Sequence, residues 1–370
     1  MILGACTFGA VLTACGKETE VLPRASVGTG GSLTAGGTAG LGAETGGRST
    51  LGGTGGAGGT NPADGIPPLH VEGRYLKDPT GHTVVLRGVA LADPVDVAHR
   101  DAGLTTPALL ERLTNADDGF YTRVVRLTVY PDIWLEDPEG YFRDFYDPVV
   151  ERATELGLYV IVDWHEISDV DLVIERTAAF WEFMAPQYAD RTNVLYEIFN
   201  EPMDNANPSW ATWKAVAQLW VDQIRAVAPD NIILIGGPNW DQQIAGAATD
   251  PLVGDNLVYV GHIYPIAAST LLLPTSPIAQ AAAEHPVMIT EWGFRQADTE
   301  VAAGTVGSFG EPLRAFVEER GLSWTAWCAD TVWAPTMFDA DWNLLVGPGE
   351  MGGFVRDWLA TRRNDDQPAW

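Results

Sequence analysis

The sequence predicts a (β/α)8 TIM barrel, an α/β fold in which eight parallel strands alternate with helical crossovers. Three observations predict it. Eight short, nearly continuous apolar runs recur between residues 84 and 327, as expected of parallel strands covered on both faces. Longer amphipathic segments separate them. Two of the runs end in a glutamate, Glu201 and Glu291, and in this fold the functional rim lies where strands end. A doubly wound open sheet shares the alternation, but its glycine-rich first turn is missing.

The elements follow in order. An N-terminal β-hairpin is predicted from Leu69–Leu76, a turn at Asp78-Pro79-Thr80-Gly81, and Thr83–Leu86, with proline and glycine supplying the turn angles. The barrel strands are read at Val84–Val89, Arg123–Val129, Tyr159–Asp163, Val194–Phe199, Ile232–Ile235, Leu257–Ile263, Val287–Thr290 and Ser323–Trp327. Between them, Thr106-Pro107 starts a helix with a capping hydroxyl and a proline in the first turn. A second helix runs from Phe145 to Leu156 and is closed by Gly157. Ser209–Ala228 is the clearest, with Trp213, Val216, Ala217, Trp220, Ile224 and Val227 on one stripe. Weaker helical patterns fall at Leu172–Tyr188, Pro277–Ala283, Glu311–Arg320 and Phe354–Thr361. No repeat at solenoid periods is present.

The barrel is predicted over residues 67–364, with residues 365–370 as a tail. Residues 1–15 read as an export segment: a short apolar run, then Leu12-Thr13-Ala14-Cys15, similar to a bacterial lipobox that would place a lipid on Cys15. No Lys or Arg precedes the run, a departure from the signal pattern, and ordinary secretion is the second reading. The run is too short to span a bilayer as a helix. Residues 16–66 are a Gly/Thr/Ala-rich linker expected to be disordered, with a reach on the order of 35 Å. Gly28-x-Gly30 lies between no strand and helix, so it has no scaffold for cradling phosphate. An exported enzyme at the cell surface, or a secreted one, is the expected location.

Charge and cysteine content narrow the function. With 22 Lys+Arg against 49 Asp+Glu, the formal charge of -27 repels phosphate backbones, so no nucleic-acid partner is expected. A neutral polysaccharide suits such a surface, and 14 Trp offer flat apolar faces for sugar rings. Of the three cysteines only Cys328 falls in the barrel, so no disulfide is expected there and no zinc spacing exists.

Strand four ends in Asn200-Glu201-Pro202 and strand seven in Glu291-Trp292-Gly293. One glutamate closing an apolar strand is most simply the first polar residue of a loop. Two on one rim match a specific chemistry, in which one neutral carboxyl protonates a leaving oxygen while an ionised one attacks the anomeric carbon. Arg126, inside the apolar strand two, needs an anion because a buried unpaired guanidinium is costly; Glu291 is the expected partner. Tyr264 can donate to Glu291 and hold it ionised. His165 and His262 share the rim, though a lone histidine is often a satisfied core residue. Trp327 offers a stacking face, and Trp134, Trp240, Trp333 and Trp342 are candidates for outer subsites. Asp163-x-His165-Glu166 could hold a metal, but paired-glutamate chemistry needs no metal or cofactor.

These residues resemble glycoside hydrolase family 5, the clan of retaining cellulases and mannanases, over roughly residues 69–362. The likeness rests on Val85-Leu86-Arg87-Gly88-Val89, Val124-Val125-Arg126-Leu127, Val162-Asp163-Trp164-His165, Asn200-Glu201-Pro202, His262-Ile263-Tyr264, Thr290-Glu291-Trp292-Gly293 and Trp327, in that order. It implies Glu201 as acid/base and Glu291 as nucleophile. It further implies an arginine (Arg126) supporting the nucleophile and a histidine (His165) at the subsite. Asn200 would contact the sugar 2-hydroxyl, Tyr264 would bond the nucleophile, and Trp327 would be the strand-eight platform. Asp-Trp-His at strand three leans towards an endo-β-1,4-glucanase acting on polysaccharide; a monomer is expected. After Trp327, Cys328-Ala329-Asp330-Thr331-Val332-Trp333 departs from the polar pattern of well-known bacterial cellulases. That leaves β-mannanase, xyloglucanase or an oligosaccharide-cleaving glycosidase open, and a non-catalytic carbohydrate-binding lipoprotein as a separate class.

Overall fold

The computed structural model describes residues 65–100, 104–203, 209–298 and 301–369, all within the compact unit Thr60–Trp370. Cys15, the export segment and the linker up to residue 64 lie outside the described residues. Eight parallel strands close into a barrel: one (Arg87–Leu91), two (Val124–Val129), three (Tyr159–Trp164), four (Val194–Glu197), five (Ile233–Ile235), six (Leu257–Ile263), seven (Val287–Trp292) and eight (Ser323–Ala326). Strand eight pairs with strand one through Trp324↔Arg87 to Ala326↔Val89, which shuts the cylinder.

Strand one starts later than predicted. Val84 instead pairs with Leu76 in a three-stranded antiparallel sheet of His70–Glu72, Tyr75–Lys77 and Thr83–Val84, larger than the expected hairpin. The intervening amides bond elsewhere: Val85 N–H to the Asp366 carbonyl at 3.1 Å and Leu86 N–H to Ser323 Oγ at 2.9 Å. Residues 365–369, read as a tail, are tied to this base. Arg87 Nη2 donates to Asp366 Oδ2 at 2.9 Å, and Ala369 N–H to Asp78 Oδ2 at 2.7 Å.

The clearest predicted helix is Trp210–Arg225, with Ser209 Oγ accepting from the Thr212 amide at 3.1 Å. Its stripe of Trp213, Ala217, Trp220 and Ile224 is buried, while Val227 lies past its end and is exposed. Helix Thr106–Thr114 is capped by Thr105, one residue before the expected cap. The crossover from strand five to strand six has no long helix, only short turns at Pro238–Asp241 and Ala245–Ala248.

Two apolar layers sandwich the strand wall. Outside it, residues such as Val125, Leu127, Val160, Tyr196 and Trp292 pack against the helices. Inside it, Val124, Tyr159, Ile161, Leu195, Leu234, Val258, Val260 and Met288 fill the lower barrel, capped by Ile66, Leu69, Leu76 and Val84 of the base. Each such side chain contributes about 1.5–3 kcal/mol on burial. Alternation then dictates what fills the upper barrel. Two residues beyond Val124, Ile161, Leu195 and Val260 come Arg126, Asp163, Glu197 and His262, so a polar layer sits on the apolar one. Between strands six and seven the register slips, from Val260↔Met288 to His262↔Glu291. This bulge explains how adjacent residues both reach inward, since strict alternation would send Thr290 and Glu291 to opposite faces.

Candidate active site

The upper layer is organised by Arg126, which is fully buried. Its Nε donates to Glu197 Oε2 at 2.7 Å, its Nη1 to Glu291 Oε2 at 3.1 Å and its Nη2 to Asn200 Oδ1 at 2.6 Å; Asp163 Oδ2 lies 3.0 Å from Nη2. The expected partner Glu291 is thus one of three carboxylates on a single guanidinium, whose planar fork suits such multiple contacts. With its Oδ1 held by Arg126, Asn200 keeps a buried Nδ2 that has no partner among the described residues.

Glu201 and Glu291 face each other beside His262. Oxygens of the two, together with a His262 nitrogen, lie within 4.8 Å of one another. Glu201 stands just after strand four on a short two-stranded segment in which Glu201–Met203 pairs with Ile167–Asp169. Tyr264 Oη donates to Glu291 Oε1 at 2.6 Å, and His262 Nδ1 lies 2.9 Å from Glu201 Oε1. His262 Nε2 meets Thr290 Oγ1 at 3.1 Å, and Thr290 in turn donates to Glu197 Oε1 at 2.8 Å.

The electrostatics push the two glutamates apart. Burial, reinforced by the nearby Glu291 charge and opposed by His262, raises Glu201 above the ordinary carboxylate range. Burial acts the same way on Glu291, but His262, Arg126, His165 and the Tyr264 hydrogen bond outweigh it and hold Glu291 below that range. Burial likewise opposes charge on His262, yet Glu291, Asp241, Glu197 and Glu201 around it keep it protonated well above the ordinary histidine range. Glu197 is held down at about 2: burial is overcome by Arg126 and His262. Two carboxyls with opposite shifts are suited to opposite proton tasks.

Aromatic rings line the other arc of the rim. Trp327 is almost wholly buried and stacks on His165 with centroids 5.1 Å apart and planes 7° from parallel. His165 Nδ1 bonds Asp163 Oδ2 at 2.7 Å and its ring contacts Tyr130, which meets Trp333 edge-on at 5.4 Å. Trp333 is half-buried, its indole N–H fixed on Asp96 Oδ2 at 2.8 Å. Of the other outer candidates, Trp240 is also partly exposed, in a turn packed against Glu201–Met203. Trp134 is core, enclosed by Trp164, Phe180 and Phe183, so it cannot serve a subsite as placed. Trp342 packs on Phe338, its carbonyl held by Arg112 of the outer helix layer.

The Asp163-x-His165-Glu166 triplet does not converge, because Glu166 turns to Arg176 and Ser168. Two other groups bring three donors together, Glu197–Asp241–His262 and Glu201–His262–Glu291. In the first, both Glu197 oxygens and one of Asp241 already accept from Arg126, Thr290 and Gly237; in the second, both Glu291 oxygens accept from Arg126 and Tyr264 while Glu201 faces His262, an arrangement suited to moving protons. Cys328 is buried with its Sγ 3.6 Å from the Ala90 carbonyl. No helix among the described residues is long and apolar enough to cross a membrane.

Sequence reasoning named most of this site but missed Glu197, Thr290, Tyr130 and Asp241. For Glu197 a signal existed: a carboxylate inside an apolar strand, the same argument that singled out Arg126.

Comparison with known proteins places this geometry. The chain is 28% identical over 267 residues to an endoglucanase from Clostridium saccharobutylicum, covering 70% of this chain and 56% of that protein. It is 33% identical over 243 residues to endoglucanase A of Butyrivibrio fibrisolvens, covering 62% and 53% respectively. The match therefore spans little more than half the length of these curated relatives. Among solved structures, a β-glucanase from Saccharophagus degradans superposes with a TM-score of 0.72 at 27% identity, covering 80% of this chain and 94% of that one. The catalytic domain of a Thermobifida fusca endoglucanase gives 0.67 at 27% identity, covering 81% and 99%. The sequence model of the cellulase family matches residues 102–331, well over half of the chain, and with the barrel and its paired glutamates this shows that the chain belongs to glycosyl hydrolase family 5.

Proposed function

We propose that this protein is a retaining endo-β-1,4-glycanase acting on β-glucan, with Glu201 as acid/base and Glu291 as nucleophile. One observation carries the reading: two facing carboxyls with oxygens within 4.8 Å, one pushed towards its neutral form and one held ionised. That spacing fits the roughly 5–5.5 Å separation of retaining enzymes better than the roughly 6.5–9.5 Å that leaves room for a water between the groups. Glu291 attacks the anomeric carbon while Glu201 protonates the departing oxygen; Glu201 then takes a proton from the water that releases the sugar. Arg126 and Tyr264 fix the Glu291 carboxylate. The free Nδ2 of Asn200 is assigned to the sugar 2-hydroxyl, and Trp327 with His165 to the floor beneath the reacting ring. Trp333 and Trp240, both partly exposed, are assigned to outer sugars. Relatives named endoglucanase and β-glucanase support β-glucan as substrate.

Reducing-end release from carboxymethylcellulose, lichenan, mannan and xyloglucan tests the substrate. Cleavage of the first two is expected, with viscosity falling ahead of sugar release as internal bonds break. Cleavage of mannan or xyloglucan alone would move the reading to those substrates. Failure on all four, with the polymers still bound, would favour the carbohydrate-binding class.

The pH profile follows from the opposite shifts. Glu291 is held below its usual range, so kcat/KM should fall only when the pH drops through that lowered value and the nucleophile takes a proton. Glu201 is raised, so the alkaline limb should come as the pH climbs through its elevated value and the acid is lost. A profile with a single limb would contradict the two-carboxyl assignment.

A further inference from the structure

After strand five the chain turns through three consecutive left-handed residues, Asn239 (φ 59°), Trp240 (φ 53°) and Asp241 (φ 57°). Side-chain-bearing residues disfavour this region, a bulky tryptophan most of all. Gly236 makes the turn possible, since a Cβ there would lie 1.9 Å from Asp241 Oδ1. The turn delivers the Asp241 carboxyl, completely buried, beneath His262. Oδ1 accepts the Gly237 N–H at 2.7 Å. Oδ2 has no hydrogen-bond partner and lies 3.4 Å from His262 Nε2.

The hydrogen bonds around His262 fix its protons. The Thr290 hydroxyl is spent as donor to Glu197, so its oxygen accepts from His262 Nε2, which must carry a hydrogen. One proton then lies between His262 Nδ1 and Glu201 Oε1, 2.9 Å apart. It sits either on the imidazole, leaving Glu201 ionised, or on Glu201, where an acid needs it. Every charged group facing His262 bears on that choice: Glu197 at 3.9 Å from strand four, Glu291 at 4.0 Å from strand seven, Glu201 itself and Asp241. Arg126 bonds both Glu197 and Glu291 and offsets their charge. Glu201 and Asp241 have no cation or hydroxyl other than His262 to balance them within the described contacts, and of the two only Asp241 stands away from the reacting pair, with Oδ2 aimed at His262 Nε2.

We propose that Asp241 is a positioning residue that acts on the acid/base through His262, an ionised Asp241 drawing the shared proton onto the imidazole and a neutral one leaving it on Glu201. This rests on Glu201 being the acid/base. Burial, reinforced by Glu197 and opposed by the His262 cation, lifts the Asp241 carboxyl well above the ordinary carboxylate range, so that it ionises only as the pH climbs towards the alkaline limb.

Asp241→Asn keeps an acceptor for the Gly237 N–H and removes the charge, and Asp241→Ser is a second variant with the same electrostatic effect. The expected result in either is an alkaline limb of kcat/KM moved to lower pH by about one unit, because the shared proton is lost more easily once a nearby negative charge is gone. The position of the limb is the readout, because a purely structural role for Asp241 would lower the plateau without moving the limb. In parallel, 15N NMR of the imidazoles should show His262 losing imidazolium character at a lower pH than in the parent. An unmoved limb and an unchanged His262 resonance, with only a lowered plateau or Tm, would overturn the proposal and leave Asp241 as a shaper of the turn. A parent inactive on every glycan would instead sink the reading of Glu201, while the NMR arm would still decide whether Asp241 controls His262.

Discussion

Replacing Glu291 with alanine is expected to lower kcat on β-glucan by about 10⁴-fold or more, the scale at which removing a covalent nucleophile acts. The variant should still fold, because Arg126 keeps Glu197 and Asp163 as partners. Azide supplied in the emptied space would attack from the face Glu291 occupied and give a glycosyl azide of inverted configuration. Glu201→Ala makes a complementary case. Its loss should be severe on polysaccharide but slight on an aryl glycoside whose leaving group needs no proton, and added azide should yield the retained product. Full activity in the Glu291 variant, or the same azide product from both variants, would refute the assigned roles.

The second large effect is expected at Arg126. Arg126→Met is close in length and removes the guanidinium shared by three buried carboxylates. Breaking a buried charge cluster by deleting one partner typically costs about 3–5 kcal/mol, because the remaining charges stay in low dielectric without compensation. Urea denaturation at neutral pH should show a loss of that size. The deficit should shrink on acidification, since Glu197 and Glu291 are lowered in the parent partly by Arg126, and without it they take up protons at higher pH. For the same reason, whatever activity survives should lose its acidic limb at a higher pH than the parent does. A variant within about 1 kcal/mol of the parent would mean that the carboxylates are shared out differently.

Much of this was legible in the chain. Parallel strands are buried on both faces, so Val124–Val129 and Leu257–Ile263 announce themselves as apolar runs whatever the rest of the fold does. Glu201 and Glu291 stood out because a charge at the end of such a run lands on one known rim. The boundary of strand one was not legible, because the amides of Val85 and Leu86 are taken by Asp366 and Ser323, more than two hundred residues away. Trp134 read as a surface platform because tryptophan composition does not say which ring finds a pocket of other rings. Asp241 gave no signal, since Gly236-Gly237-Pro238-Asn239-Trp240-Asp241 has the composition of any exposed loop. Only the left-handed turn sends its carboxyl inward. The one-residue slip between strands six and seven was equally hidden, for alternation alone would have turned either Thr290 or Glu291 away from the barrel.

The base sheet and the segment around Asp366 have a consequence for how the domain can be handled. The Ile66 carbonyl accepts from Thr192, just before strand four, and the Pro67 carbonyl from Tyr159, at the start of strand three, while Ala369 is pinned beside Asp78. Residues 66–67 and 369 therefore both lie at the floor, whereas Glu201, Glu291 and the aromatic arc sit on the opposite rim, on segments that follow the strands. A partner protein joined directly at residue 66 or residue 369 would start from the face opposite the cleft and leave the rim open to a long glycan.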